Sequence, residues 1–264
     1  MLNNLIFVFV LTMIIHTAET LSYAVRFAGV QLNKIAVALS LTGIIVLVSR
    51  TANMLQGPLT ATFVDHAKKQ ADFPLMDYMR VILFAASLGT IVAIGLFPSF
   101  VSLFSRIIAK LEVAGSIPKL ITGVTIGQLI NTKYYLRKPA FSFYYFRYLG
   151  IPKRLIVMNV FVTAFYTVGV MASLYCSFLL PDYSTTASQA SGIINGIATI
   201  MLTIFIDPQL GLITDKALHH ERYQAQLGKV YIVMMTSRFL GTLLGQFIII
   251  PAAYFIGMVI KLMY

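Results

Sequence analysis

Polar positions are sparse in this chain, and apolar ones run in long blocks. Six blocks are long enough to cross about 30 Å of hydrocarbon as helices: Leu5–Val25, Ile35–Leu55, Val81–Leu103, Leu155–Leu180, Ser188–Ile206 and Val230–Leu262. The last is longer than a bilayer requires, which predicts a helix that tilts or extends past the membrane. The few polar residues inside the blocks are not scattered. Thr12, His16, Glu19, Tyr23 and Arg26 fall at i, i+4, i+7, i+11 and i+14, one stripe along one face of a helix. A carboxylate with an arginine two turns away is costly in such a segment unless each finds a partner or water. The stripe therefore predicts a face turned toward a bundle interior. Its plainer use is a structural ion pair that locks helices together.

Composition agrees with the pattern. Hydrophobic residues make up 58% of the 264, charged residues 11%, and the mean hydropathy is +0.84. A soluble domain carries about 25% charged residues, so the expected class is an all-α integral membrane protein with one transmembrane domain over residues 1–264. The single cysteine, Cys176, lies in an apolar run, excludes an intrachain disulfide and reads as a packing residue. No basic region precedes the first apolar block, so that block is expected to be a retained span and not a cleaved signal.

Charge is concentrated between the third and fourth blocks. Val101–Arg154 carries nine basic residues against Glu112 alone, a net +8 of the chain's formal +11. Apolar residues at Phe100, Phe104, Ile107, Ile108 and Leu111 predict an amphipathic helix at the membrane surface. Ile117–Ile130 is too short for an ordinary span and reads as re-entrant or interfacial. The run YYLRKPAFSFYYFRYLG interleaves aromatic and basic residues, the composition of a membrane interface; nucleic acid is not expected as a partner. With the N-terminus outside, fourteen basic residues fall on the inner side and four on the outer, while Arg50 and Arg238 lie within spans. The positive-inside rule then places both termini outside.

A weak repeat runs through the chain. Pro58 precedes Asp65 as Pro208 precedes Asp215. Tyr78 leads to Leu88-Gly89-Thr90 and Pro98, as Tyr231 leads to Leu240-Gly241-Thr242 and Pro251. Three spans per repeat would set residues 1–100 and 154–264 upside down relative to each other, joined by the basic linker 101–153. That is the inverted-repeat arrangement of many secondary transporters. Gly192-x-x-x-Gly196 and Gly241-x-x-x-Gly245 allow close helix approach, within the chain or across a homodimer.

The segment Ile15–Pro58 also carries a resemblance. Its strings IHTAETLSYAVRFAGV, ALSL and LVSRTANMLQGP resemble the Amj family of alternate lipid II flippases in bacterial cytoplasmic membranes, most sharply over residues 14–66. The resemblance implies lipid II as substrate, carried from the inner to the outer leaflet, with membrane lipids as the other partners. A diphosphate head needs cationic donors, and the arginine fork suits it best. Arg50, Arg26 and Arg238 are the candidates, Arg50 first, with Asn53 and Gln56 one and two turns beyond it. Glu19 and His16 are the candidate gating or charge-relay pair, and Asp207 is a lesser partner for Arg238. Arg50 also suits a plainer role, snorkelling toward a headgroup.

Other chemistries have little support. There is no GxxxxGK[ST] phosphate loop for ATP hydrolysis and no GxSxG elbow. His16-x-x-Glu19 is half of a metal pattern, and His66, His219 and His220 have no paired spacing. No metal or cofactor is expected. Two other classes stay open: an enzyme acting on polyprenyl-phosphate lipids through Glu19, His16 and Asp65, and a non-catalytic scaffold for envelope biogenesis.

Overall fold

A computed structural model describes residues 1–116, 119, 137 and 151–264. Ile117–Ile130 and the aromatic–basic run after it lie, but for residues 119 and 137, outside the described residues. Helix is the only regular structure among those described: α1 (Leu2–Gln31), α2 (Ile35–Lys69), α3 (Leu75–Ala114), α4 (Lys153–Leu179), α5 (Ser184–Gln189), α6 (Ser191–Met201), α7 (Asp207–His219) and α8 (Glu221–Met263). A bilayer offers backbone groups no hydrogen bonds, so apolar blocks of this length close their own. Six stretches among the described residues are long and apolar enough to span, with α5 to α7 forming the fifth. The chain is a multi-pass membrane protein.

The fifth span is broken where its sequence requires it. Pro208 lacks an N–H and its ring crowds the carbonyl one turn back. The preceding turn, Leu202–Ile206, widens to a π-helix in which Asp207 N–H reaches the Leu202 carbonyl. The apolar series Phe100–Leu111 proves to be the last turns of α3 and not a separate surface helix. Ile108 is fully buried in the cluster that also holds Leu210, Ala217 and Leu227, and Phe100, Phe104, Ile107 and Leu111 pack against it.

The most extensive packing joins α1 to α3 and α4 to α8, with α2 flanking α1. Glycines make both close approaches possible. A Cβ on Gly89 would collide with the Met13 carbonyl of α1, and one on Gly241 would lie 2.6 Å from the Val160 carbonyl of α4. Where α3 meets α8, the Ser87 hydroxyl donates to Thr242 Oγ1 at 3.0 Å.

Two apolar clusters occupy opposite ends of the bundle. One holds Val8, Phe63, Leu83, Val168, Ile194 and Ile249, the other Leu21, Leu41, Ala93, Val162, Ala198 and Met235. Successive helices run between them in alternating directions. Both chain termini belong to the first end, where Val8 and Ile260 sit. Between the clusters lies a belt of buried polar side chains: Thr12 and His16 on α1, Ser49 and Gln56 on α2, Ser87 and Thr90 on α3, Ser237 and Thr242 on α8.

Candidate functional site

The belt is organised by the polar stripe of α1. That helix turns Met13 and Thr17 toward α3, where the Thr17 hydroxyl donates to the Gly89 carbonyl at 2.9 Å. The stripe lies on the other side, toward α2 and α8. Glu19 Oε2 accepts from Arg238 Nη2 at 3.0 Å, and Glu19 Oε1 accepts from Ser49 Oγ at 2.8 Å. Arg238 Nε also donates to Thr20 Oγ1 at 3.3 Å. One carboxylate thus ties together three spanning helices. Its side chain keeps 38% of its surface accessible, against 18% for Arg238, so the ion pair is not sealed in the core.

Supporting contacts fix the α8 side. Asn159 on α4 donates through Nδ2 to Ser237 Oγ at 2.7 Å and to the Met234 carbonyl at 3.0 Å, holding the helix turn that carries Arg238. Toward the chain termini, Gln56 Nε2 donates to Thr12 Oγ1 at 2.7 Å, and that hydroxyl donates to the Val8 carbonyl. Gln56 therefore steadies the α1–α2 seam one step from the ion pair. His16 is buried and feels the charges of Glu19 and Arg238, yet its Nδ1 has no hydrogen-bond partner.

Arg26 stands two turns along the stripe from Glu19. Its charge is felt by the hydroxyls of Tyr23 and Tyr231, whose rings lie 5.3 Å apart, and Asp207 is another electrostatic neighbour of Tyr23. Tyr231 shares a hydrogen bond of 3.1 Å with Thr214 of α7. Arg26 Nε is buried without a hydrogen-bond partner, and no carboxylate among the described residues is within ion-pair distance of Arg26. A partly buried guanidinium without a counter-ion carries an electrostatic cost that an anion would relieve.

Arg50 and Asn53, expected beside Arg26 and Arg238, are not brought to this group. Both are exposed on the face of α2 that also presents Leu47 and Met54 to the outside. The reason is helical rotation: Ser49 points at Glu19, and the next residue is turned about 100° away. Sequence reasoning missed Ser49, Thr20, Tyr231 and Asn159. Asn159, a lone amide in an apolar block, was the one with a visible signal. Two lateral grooves of about 310 and 360 Å³, one lined by α1, α2 and α3 and one by α4, α6 and α8, are apolar and include no stripe residue. Among the described residues no three His, Cys, Asp or Glu side chains converge as metal ligands would.

No solved structure matches the chain. A family model described as "Alternate to MurJ" matches residues 11–260. A relative from Bacillus subtilis (strain 168), "Lipid II flippase Amj", is 42% identical over 262 residues, which is 98% of this chain and 97% of the relative. With the match running through every helix that builds the polar belt, the chain belongs to the Amj family, Alternate to MurJ.

Proposed function

We propose that this protein is a lipid II flippase of the bacterial cytoplasmic membrane, moving the undecaprenyl-diphosphate-linked peptidoglycan precursor from the inner to the outer leaflet without ATP hydrolysis or other enzymatic chemistry. The near full-length likeness to a lipid II flippase supports the substrate. The observation that carries the mechanism is the charged group in mid-bundle: an arginine held by a displaceable carboxylate, with a second arginine that lacks a counter-ion.

In this reading Arg26 and Arg238 receive the diphosphate, whose oxygens suit guanidinium donors. Glu19 occupies Arg238 between substrates, and Ser49, Tyr23 and Tyr231 offer hydroxyls to the passing head. The sugar–peptide head needs a hydrated path, since bare polar groups in hydrocarbon cost several kcal/mol each. The polyprenyl tail stays in lipid. An inside-negative potential favours the outward movement of an anion by about 2.3 kcal/mol per charge per 100 mV, enough to drive the step without a nucleotide.

The domain organisation fits such a cycle. Residues 1–100 and 154–264 form inverted repeats within one transmembrane domain. The equivalent glycines Gly89 and Gly241 mark equivalent close approaches, and Ser87 meets Thr242 where the halves cross, which supports this division. Lys34, Glu112, Lys153 and Lys216 lie at the inner end and both termini outside.

The test is purified protein in vesicles with labelled lipid II. The wild type moves the label between leaflets and Arg238→Ala does not, although both insert equally. Movement runs faster with the receiving side positive. No wild-type movement overturns the function; equal rates at either polarity overturn the driving force.

A further inference from the structure

The charge balance of the site has a consequence for protons. The charged and titratable groups facing Glu19 and the two arginines are His16, Tyr23 and Arg26 on α1, Arg238 and Tyr231 on α8, and exposed Asp207 at the start of α7. α2 contributes the neutral Ser49, α3 the neutral Ser87 and Thr90, and α4 the neutral Asn159. Arg238 is paired with Glu19, and Arg26 has no ion pair among the described residues. A diphosphate diester brings two more negative charges. Arg238 has one planar fork, and the 3.0 Å bond to Glu19 occupies its Nη2. When the diester takes that fork, Glu19 loses its cation and faces a dianion. In a site of low dielectric such a carboxylate is held far more easily as the acid. More than a third of its side-chain surface is accessible, so it is not sealed inside the bundle.

We infer that diphosphate binding displaces Glu19 from Arg238 and that Glu19 takes up one proton from water, so that the site exchanges an internal ion pair for a ligand plus a proton. The carboxylate gains the proton as the diester gains the guanidinium. On release, Arg238 returns to Glu19 and the proton leaves to water on the side where the diester departs. Ser49, which donates to Oε1 in the ion-paired state, then serves either as donor to the carbonyl oxygen or as acceptor from the protonated oxygen of the acid. One proton therefore travels outward with each diester, and the charge moved falls from two to one. This inference rests on the diphosphate reading of the site.

The experiment is calorimetric binding of a lipid II analogue with a three-isoprene tail to the full chain in detergent. It is run near neutral pH in two buffers of different ionisation enthalpy, because the diester itself does not titrate there. Wild type takes up about one proton per ligand, and its affinity falls as pH rises, toward a limit of about tenfold per unit. Glu19→Gln, nearly isosteric, binds the same analogue with no proton uptake and a flat pH profile. His16→Gln still takes up the proton. Binding by wild type without proton uptake overturns the inference, as does uptake that survives Glu19→Gln or vanishes in His16→Gln. No binding by wild type at all overturns the diphosphate reading itself, and is told apart by the absence of heat in both buffers.

Discussion

Arg26 and Arg238 are the same residue type in two different electrostatic positions, and substitution separates them. Arg238 has a carboxylate at 3.0 Å; Arg26 has a buried, unpartnered Nε and no ion pair among the described residues. Removing one member of a fully buried pair costs about 3–5 kcal/mol. Glu19 is partly accessible, so Glu19→Ala is expected to destabilise by about 1–3 kcal/mol, read as a lower melting temperature in detergent. Arg26→Met, by contrast, removes an uncompensated charge and keeps the apolar stem. It is expected to leave the melting temperature equal or higher while abolishing vesicle translocation. A melting temperature that falls as far as in Glu19→Ala would show that Arg26 is a structural cation. Arg50→Ala, on the exposed face of α2, is expected to keep most of the translocation rate. The stripe from Thr12 to Arg26 was legible because its period is local. That Ser49 and Arg238 complete it was not, since the Glu19–Arg238 contact spans 219 positions.

Helices of this length form from their own sequence, but how closely they approach depends on single positions. Gly89 and Gly241 sit where α3 and α8 press on backbone carbonyls of α1 and α4. Gly192 and Gly196 have nothing within 4 Å of where a Cβ would be. The two Gly-x-x-x-Gly patterns look alike in sequence, yet among the described residues only Gly241-x-x-x-Gly245 is filled by a neighbouring helix, through Thr163, Thr167 and Val168. Gly89→Val and Gly241→Val are each expected to cost about 1–3 kcal/mol by overpacking and to slow translocation. Gly192→Ala is expected to be stability-neutral within about 0.5 kcal/mol; melting of the purified variants checks both. The break in the fifth span follows the same logic: Pro208 was visible, and the π-turn that absorbs it needed the folded helix.

The whole molecule is a bundle with two apolar ends and a polar waist, its helices alternating in direction and its termini at one end. In the proposed orientation, Asp72→Cys is expected to react with a membrane-impermeant maleimide added to intact cells. Lys34→Cys should react only after permeabilisation. The native Cys176 is buried and gives little background. The reverse pattern would invert the proposed orientation. Some of this was determined by sequence alone: helix, membrane, six spans and one polar face on the first of them. Hydropathy and a 3.6-residue period are local properties, and a bilayer leaves apolar blocks no other way to close their hydrogen bonds. Which charges meet across the waist was decided only by the tertiary structure. It depends on how far each helix is rotated about its axis, and that is set by packing such as Gly89 on Met13. The same rotation presents Ser49 to Glu19 and turns Arg50 away, and it gives Glu19 to Arg238 while leaving Arg26 without an ion pair among the described residues.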